Sequence, residues 1–373
     1  MNFIISKSSL NSALSIMAHA INSTSPQPTL RCILMEVEQS SITLYSSDAD
    51  VSIKHVVNAS EENRLYVVEP GSCLIEARYL IDIVKNIDSH DIQLEIIDGQ
   101  LVKFSGNSAV FKINGLNPAD YPVIDLTEPS NSFTVNTVTL SEIIDQTTVA
   151  CDIKGSKPIL TGLNFRLKDK VLTCIATDSF RLSKKTLPLN IEGYFNVTLP
   201  LKSLKDVQAT MLQGEDSTIK VSLDNRKVQF IKDDLIFQSK ILEGAFPETS
   251  RLIPTTFEKE LLIDRNDFIS AIYRTTFIKT DNNVYDRLQA STDEIILTNS
   301  NLQIGESREQ LTGQFTGEPI DISFTAKYVL DAAKVIPADT IRIRFNGNMK
   351  PFVFQAPDDE SLIQLIVPIR TYN

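Results

Sequence analysis

The stretch Ile219-Lys220-Val221-Ser222-Leu223-Asp224-Asn225-Arg226-Lys227-Val228-Gln229-Phe230-Ile231 alternates apolar and polar side chains on both sides of an Asp-Asn pair. Alternation with period two puts one face of a strand in a core and leaves the other outside, and a short polar pair between two such runs reads as a tight hairpin. The same design occurs twice more. Residues 92–104 run Ile92 to Ile97, turn at Asp98-Gly99, and return through Leu101, Val102 and Phe104; residues 341–354 run Ile341 to Phe345, turn at Asn346-Gly347, and return to Phe352-Val353-Phe354. Asp-Gly and Asn-Gly supply the positive φ that tight hairpins need, and Asp224-Asn225 is read in the same way. The three turns lie 126 and 122 positions apart.

Working outward, each hairpin is preceded by a helical pattern, over 77–87, 201–212 and 326–336. Further upstream each unit opens with a strand, a cap residue and another helix. Ser6, Asn136 and Asp264 stand four positions before Leu10, Leu140 and Phe268, the spacing of an N-cap and the first buried residue of a stripe. Leu10, Leu14, Met17 and Ile21 continue that stripe. Three landmarks at one spacing define an α+β chain of three repeated domains, 1–127, 128–252 and 253–373, each with two helices on antiparallel sheets. Ser130-Asn131-Ser132 and Pro254-Thr255-Thr256 read as the linkers.

Composition is that of a globular chain of 373 residues, 42% hydrophobic and 22% charged. Cys32, Cys73, Cys151 and Cys174 are scattered without a CxxC pair, which excludes a disulfide framework and a zinc-ribbon reading and fits a reducing cytosol. No basic leader with an apolar run opens the chain, and no 18-residue apolar stretch occurs, so a soluble protein is expected, without a membrane partner.

The formal charge is −11. It is unevenly spread. The six helices with their flanks (7–20, 77–87, 140–157, 201–212, 265–279, 326–336) hold twelve basic residues: Lys7, Arg78, Lys85, Lys154, Lys157, Lys202, Lys205, Arg265, Arg274, Lys279, Lys327 and Lys334. They hold seven acidic ones, so the helices carry a surplus of five and the remainder −16. Basic helices gathered on one surface can follow a phosphate backbone without reading bases. These twelve are the candidate DNA-facing residues.

Catalytic patterns are missing. His19, His55 and His90 stand apart, and no phosphate loop, nucleophile elbow or dinucleotide fingerprint occurs. Asp48-Ala49-Asp50 offers two carboxylates to a metal-dependent nucleotidyltransferase. Its place in the first repeat, however, matches Thr177-Asp178 in the second and Asn299-Ser300-Asn301 in the third, which marks a polar turn. A non-enzymatic binding protein without cofactor or metal is therefore expected. A three-domain scaffold that never meets DNA is the remaining alternative, and the charge partition speaks against it.

The turn Ala176-Thr177-Asp178-Ser179-Phe180-Arg181-Leu182 sets apolar mass beside a cation that cannot titrate away. With Gly244-Ala245-Phe246-Pro247, Lys327-Tyr328-Val329-Leu330-Asp331 and Val367-Pro368-Ile369-Arg370, in that order on a threefold repeat, it resembles the bacterial β sliding clamps, the processivity subunits of the replicative DNA polymerase. The resemblance covers the whole chain. It implies a head-to-tail homodimer, a closed ring of six domains that encircles duplex DNA without sequence preference. It implies as partners the replicative polymerase, the clamp loader and repair polymerases, in the cytoplasm at the nucleoid. Their short motifs would dock between the second and third domains, on Leu160, Thr177, Ser179, Phe180, Arg181, Leu182, Pro247, Arg251, Leu252, Tyr328, Met349, Pro351, Leu365, Ile366, Val367, Pro368, Ile369 and Arg370, with Arg181 and Arg370 at the rim of an apolar cleft. Ser179-Phe180 stands where the family has Gly-His, which makes the rim bulkier and more apolar. The subunit seam would fall on Tyr79, Ile83, Ile87, Phe111 and Ile113, facing Phe277 and Ile278 of the partner.

Overall fold

The computed structural model describes residues 1–155, 157–280 and 283–370; Thr371-Tyr372-Asn373 of the C-terminal segment lie outside the described residues. Six α-helices occur among those described: α1 (Lys7–Met17), α2 (Ala77–Asn86), α3 (Thr137–Thr148), α4 (Leu201–Met211), α5 (Arg265–Thr275) and α6 (Ala326–Lys334). The three cap residues act as their spacing predicts. Ser6 accepts from the backbone N–H of Ser9 at 3.2 Å, Asn136 from Val138 at 2.9 Å and Asp264 from Asp267 at 2.9 Å. Leu10, Leu14 and Met17 are buried, and Ile21, beyond the end of α1, is half-buried. Helix α3 is displaced from its expected 140–157. Thr147 and Thr148 turn their hydroxyls back onto the carbonyls of Ile143 and Ile144, Gly155 adopts φ +69°, and Pro158 follows, so the helix stops early. Lys154 and Lys157 therefore lie on the connection after α3 and not on the helix.

Among the described residues every strand pairing is antiparallel, in four sheets distributed over two compact units. The first unit comprises Met1–Val138 and Ser203–Ile241. Its five-stranded sheet has the order Tyr66–Glu69, Asn2–Ser6, Asp91–Asp98, Leu101–Gly106, Ala109–Asn114. Its eight-stranded sheet runs Asn131–Asn136, Thr218–Leu223, Lys227–Lys232, Leu235–Lys240, Val51–Asn58, Ser41–Ser47, Cys32–Val37, Gly71–Glu76. The pairing of Leu235–Lys240 with Val51–Asn58 makes this one sheet out of strands from the first two sequence repeats. All four cysteines are buried. Burial pushes the Cys32 thiol up to about 11 and that of Cys73 to about 12.

The second unit comprises Thr139–Lys202 and the chain from Leu242 onward. Its nine-stranded sheet has the order Phe195–Pro200, Gly162–Lys168, Val171–Thr177, Arg181–Pro188, Asp359–Ile366, Phe352–Ala356, Thr340–Phe345, Lys259–Asp264, Gly313–Thr316. A four-stranded sheet follows the order Gly305–Leu311, Ile295–Asn301, Tyr285–Ala290, Ile320–Thr325. Phe324, Phe345, Phe352, Phe354 and Phe268 meet in its core, with ring centroids 5.5 to 6.4 Å apart.

The three hairpins differ at their tips. Gly99 has φ +51° between Asp98 and Leu101, the tight turn that Asp-Gly predicts. Asn225 does not take a positive φ. Asp224 closes that loop instead, its Oδ1 accepting from Arg226 N at 2.7 Å and Lys227 N at 2.9 Å. The third connection, 346–351, is longer, with Gly347 at φ +141°.

Candidate peptide-docking site and basic helical residues

Two turns of the chain share one hydrogen-bond scheme. At Thr177–Leu182, Asp178 Oδ1 accepts from Phe180 N and Arg181 N, both at 3.0 Å. Thr177 Oγ1 accepts from Ser179 N and donates to Arg181 O, at 3.2 and 2.6 Å. At Ser47–Ser52, Asp48 Oδ1 accepts from Asp50 N and Val51 N, while Ser47 Oγ accepts from Ala49 N and donates to Val51 O. Ser179 and Ala49 take φ +77° and +78°. In the third repeat Asn301 Oδ1 accepts from Gln303 N and Ile304 N. These are side-chain-closed turns, as the repeat reading expects. The Asp48 carboxylate is engaged by backbone N–H groups, and Asp50 meets Lys240 at 3.0 Å. Among the described residues no three His, Cys, Asp or Glu side chains converge as metal ligands.

The turn Thr177–Leu182 adjoins the last strand of the chain. Arg181 pairs with Ile366 and Leu182 with Leu365 across the nine-stranded sheet, and Val367 N donates to Phe180 O at 2.9 Å. Phe180 (59% exposed) and Val367 (38%) thus stand side by side at the end of that strand pair. Leu252 and Met349 are also exposed apolar side chains of this unit. Leu182 is 2% exposed. It is buried with Val353 and Leu365, flanked by Ile175, Ile253, Phe257 and Ile363, and forms the layer under the turn. Leu160, Thr177, Ile366 and Pro368 are buried, Tyr328, Pro351 and Ile369 half-buried, and Ser179, Pro247, Arg251 and Arg370 exposed. Ile369 N donates to Ser323 O at 2.8 Å, which ties the tail to the strand before α6.

Arg181 departs from its expected place on the rim. It is 7% exposed. Its Nε donates to Asp178 Oδ2 at 2.9 Å, its Nη1 to Asp331 Oδ2 at 2.6 Å, and its guanidinium carbon lies 4.5 Å from the Tyr328 ring centroid. Two carboxylates already neutralise it, so its role is to bolt the turn to α6 and not to receive an acidic ligand. The sequence carries a faint sign of this arrangement, because Tyr328 and Asp331 share one face of a helix at i, i+3.

The basic residues divide in a similar way. Lys7 Nζ donates to Ile87 O at 2.7 Å, and Arg265 Nη1 to Ile336 O at 3.1 Å. Both are half-buried ties between the two helices of a repeat. Arg274 is held by Glu309 through two bonds of 3.0 and 2.8 Å, Lys327 by Asp331 at 2.8 Å. Lys334 lies 4.9 Å over the Tyr273 ring and Arg78 5.9 Å from that of Tyr79. Lys85, Lys154, Lys157, Lys202, Lys205 and Lys279 are exposed.

Of the seam candidates, Tyr79, Phe111 and Phe277 are exposed and Ile83 and Ile113 half-buried. Ile87 and Ile278, each 1% exposed, are core residues of the chain. Leu302 and Ile304 are exposed apolar residues that strand alternation did not single out, because they sit at the tip of a hairpin.

Three family models match in succession: the N-terminal domain of the DNA polymerase III beta subunit over residues 1–125, its central domain over 134–248 and its C-terminal domain over 250–370. The chain is 31% identical to the beta sliding clamp of Bacillus subtilis and 30% to that of Staphylococcus aureus, over the full length of both chains in each case. Crystal structures of the Bacillus subtilis clamp and of the Streptococcus pyogenes polymerase beta subunit superimpose with a TM-score of 0.94 each, at 30% and 28% identity, again over all of both chains. The chain belongs to the β sliding clamp family, the non-catalytic processivity subunits of DNA polymerase III.

Proposed function

We propose that two copies of this chain close head to tail around duplex DNA, each built of domains 1–127, 128–252 and 253–373. Partner proteins dock short motifs beside Phe180 and Val367. The family relationship and the three-repeat fold support the ring. Exposed lysines on or beside four of the helices (Lys85, Lys202, Lys205, Lys279, Lys327, Lys334) support a sequence-blind hold on phosphates, which permits sliding because no base is read. Such a protein works in the cytoplasm, at the nucleoid.

The observation that carries the docking reading is the Val367 N to Phe180 O bond. It sets exposed apolar side chains from a mid-chain turn and the chain's last strand next to each other, above a buried aliphatic layer. A partner's apolar anchors gain most of their affinity from a few such contacts. The test uses a variant that lacks residues 368–373. A fluorescent peptide of the type Gln-x-x-Leu-Phe is expected to bind the intact chain and to lose at least tenfold in affinity on the variant, by anisotropy. Both proteins, once loaded, are expected to stay on circular DNA and slip from linear DNA. Undiminished peptide binding refutes the docking site; equal loss from circular and linear DNA refutes the ring.

A further inference from the structure

Three residues before Asp48, Asp178 and Asn301 stand Tyr45, Ile175 and Thr298, whose cross-strand partners are Leu34, Asn164 and Arg287. The residues preceding those partners, Ile33, Leu163 and Asp286, therefore occupy one position of the repeated fold. Each is 0% exposed. Two repeats fill the position with an aliphatic side chain, and the third fills it with a carboxyl group.

Asp286 Oδ2 lies 2.9 Å from Thr275 Oγ1, whose single proton also has the Ile272 carbonyl within reach at 2.7 Å, and among the described residues Oδ1 has no hydrogen-bond partner. The polar groups that face it are Thr275 from α5 and Asn299 from the strand Ile295–Asn301, while Phe324 is its cross-strand neighbour on Ile320–Thr325. The charged side chains of these elements are engaged elsewhere: Arg274 with Glu309, Arg265 with the Ile336 carbonyl, and Asp321 with Arg287. Asp267 lies in the first turn of α5, at the other end from Thr275. The same cluster fastens the chain that leaves α5. Asn299 Nδ2 donates to Thr275 O at 3.3 Å and to Ile278 O at 3.0 Å, and Asn301 Nδ2 to Lys279 O at 3.1 Å. Phe277, between these anchors, is 64% exposed.

We propose that Asp286 is a proton-operated latch on the turn 275–279: neutral, it is a core residue that fastens the turn through Thr275, and ionised, it loosens the turn that displays Phe277. A neutral carboxyl can donate as well as accept, so it fits a site with one donor and one unfilled oxygen. A buried carboxylate lacks compensation there, and opening the turn to water relieves it. Burial pushes the acid up from 3.8 to about 7, against the hydrogen bond with Thr275. The folded state thus holds the proton more tightly than the unfolded chain. The stability this gives is complete below 3.8 and lost as pH rises through about 7.

The test is hydrogen–deuterium exchange of the full-length protein between pH 5.0 and 7.5, corrected for intrinsic rates. Protection of amides 275–280 is expected to fall by up to about tenfold per pH unit and to level off above pH 7.5. Asp286→Asn and Asp286→Leu, the second restoring the chemistry of Leu163, are expected to give level profiles, and either one suffices if the other does not fold. A level wild-type profile, or the same slope in a folded variant, overturns the latch. That Phe277 belongs to a subunit seam rests on the ring proposed above. Sedimentation at the same pH values separates the two ideas: with the latch confirmed by exchange, a pH-independent dimer removes Phe277 from the seam and leaves the latch standing.

Discussion

The guanidinium of Arg181 lies between the carboxylates of Asp178 and Asp331 and on the face of Tyr328. Its removal leaves two partly buried carboxylates without the cation they share, Asp331 keeping Lys327 and Asp178 its backbone N–H donors. Arg181→Ala is expected to cost about 2–3 kcal/mol of folding stability, measured by urea unfolding. Phe180, one residue earlier, has the opposite profile. At 59% exposed it has little packing to lose, so Phe180→Ala is expected to leave stability within about 0.5 kcal/mol while lowering peptide affinity at least tenfold. An unstable Phe180→Ala, or an Arg181→Ala of unchanged stability, reverses these assignments. The exposure of Phe180 was readable from its place in a polar turn. The burial of Arg181 was not, because one of its acidic partners is 150 positions away, on another helix.

Turns and helix ends show what local sequence determines. Cap residues act over two or three positions, and all three repeats present them where the spacing of Ser6, Asn136 and Asp264 puts them. The hairpin at Asp224-Asn225 was legible as a hairpin but not as a turn type. A dipeptide that can take positive φ need not do so when a side chain closes the loop another way. Asp224 Oδ1 holds two backbone N–H groups, so Asp224→Ala is expected to lower stability by about 1–2 kcal/mol. Asn225→Gly, which stabilises a turn of positive φ, is expected here to be neutral or to cost up to about 1 kcal/mol through chain entropy. A stabilised Asn225→Gly, seen as a raised urea midpoint, contradicts the observed backbone. Helix α3 gives the same lesson: its apolar spacing was visible, but its end is set by Thr147, Thr148 and Gly155, which a search for charged flanks passes over.

At the scale of the molecule the repeat governs. Three copies of one unit were countable from turn spacing alone, whereas the joining of strands from the first two repeats into one sheet depends on an edge pairing that no local pattern encodes. Edges also bear on assembly. Ala109–Asn114 ends the five-stranded sheet of the first unit, and Gly305–Leu311 ends the four-stranded sheet of the second. Phe111 and Ile113 lie on the first edge strand and Ile83 on α2; Leu302 and Ile304 join the second edge strand to its neighbour, and Phe277 follows α5. A head-to-tail ring joins unlike edges, and this has a signature that a like-with-like dimer lacks. An aspartate at Ile83 or at Phe277 removes roughly 1.5–3 kcal/mol of apolar burial per seam and adds the cost of a buried charge. Each variant, Ile83→Asp and Phe277→Asp, spoils one edge and is expected to be a folded monomer at micromolar concentration by light scattering. Each also keeps one intact edge, and those intact edges are complementary. Mixed in equal amounts, the two variants are expected to form a one-to-one dimer through a single unspoiled seam, open on its other side and therefore unable to stay on circular DNA. If Phe277→Asp alone remains a dimer, or if the mixture remains monomeric, unlike edges do not meet and the head-to-tail ring is wrong.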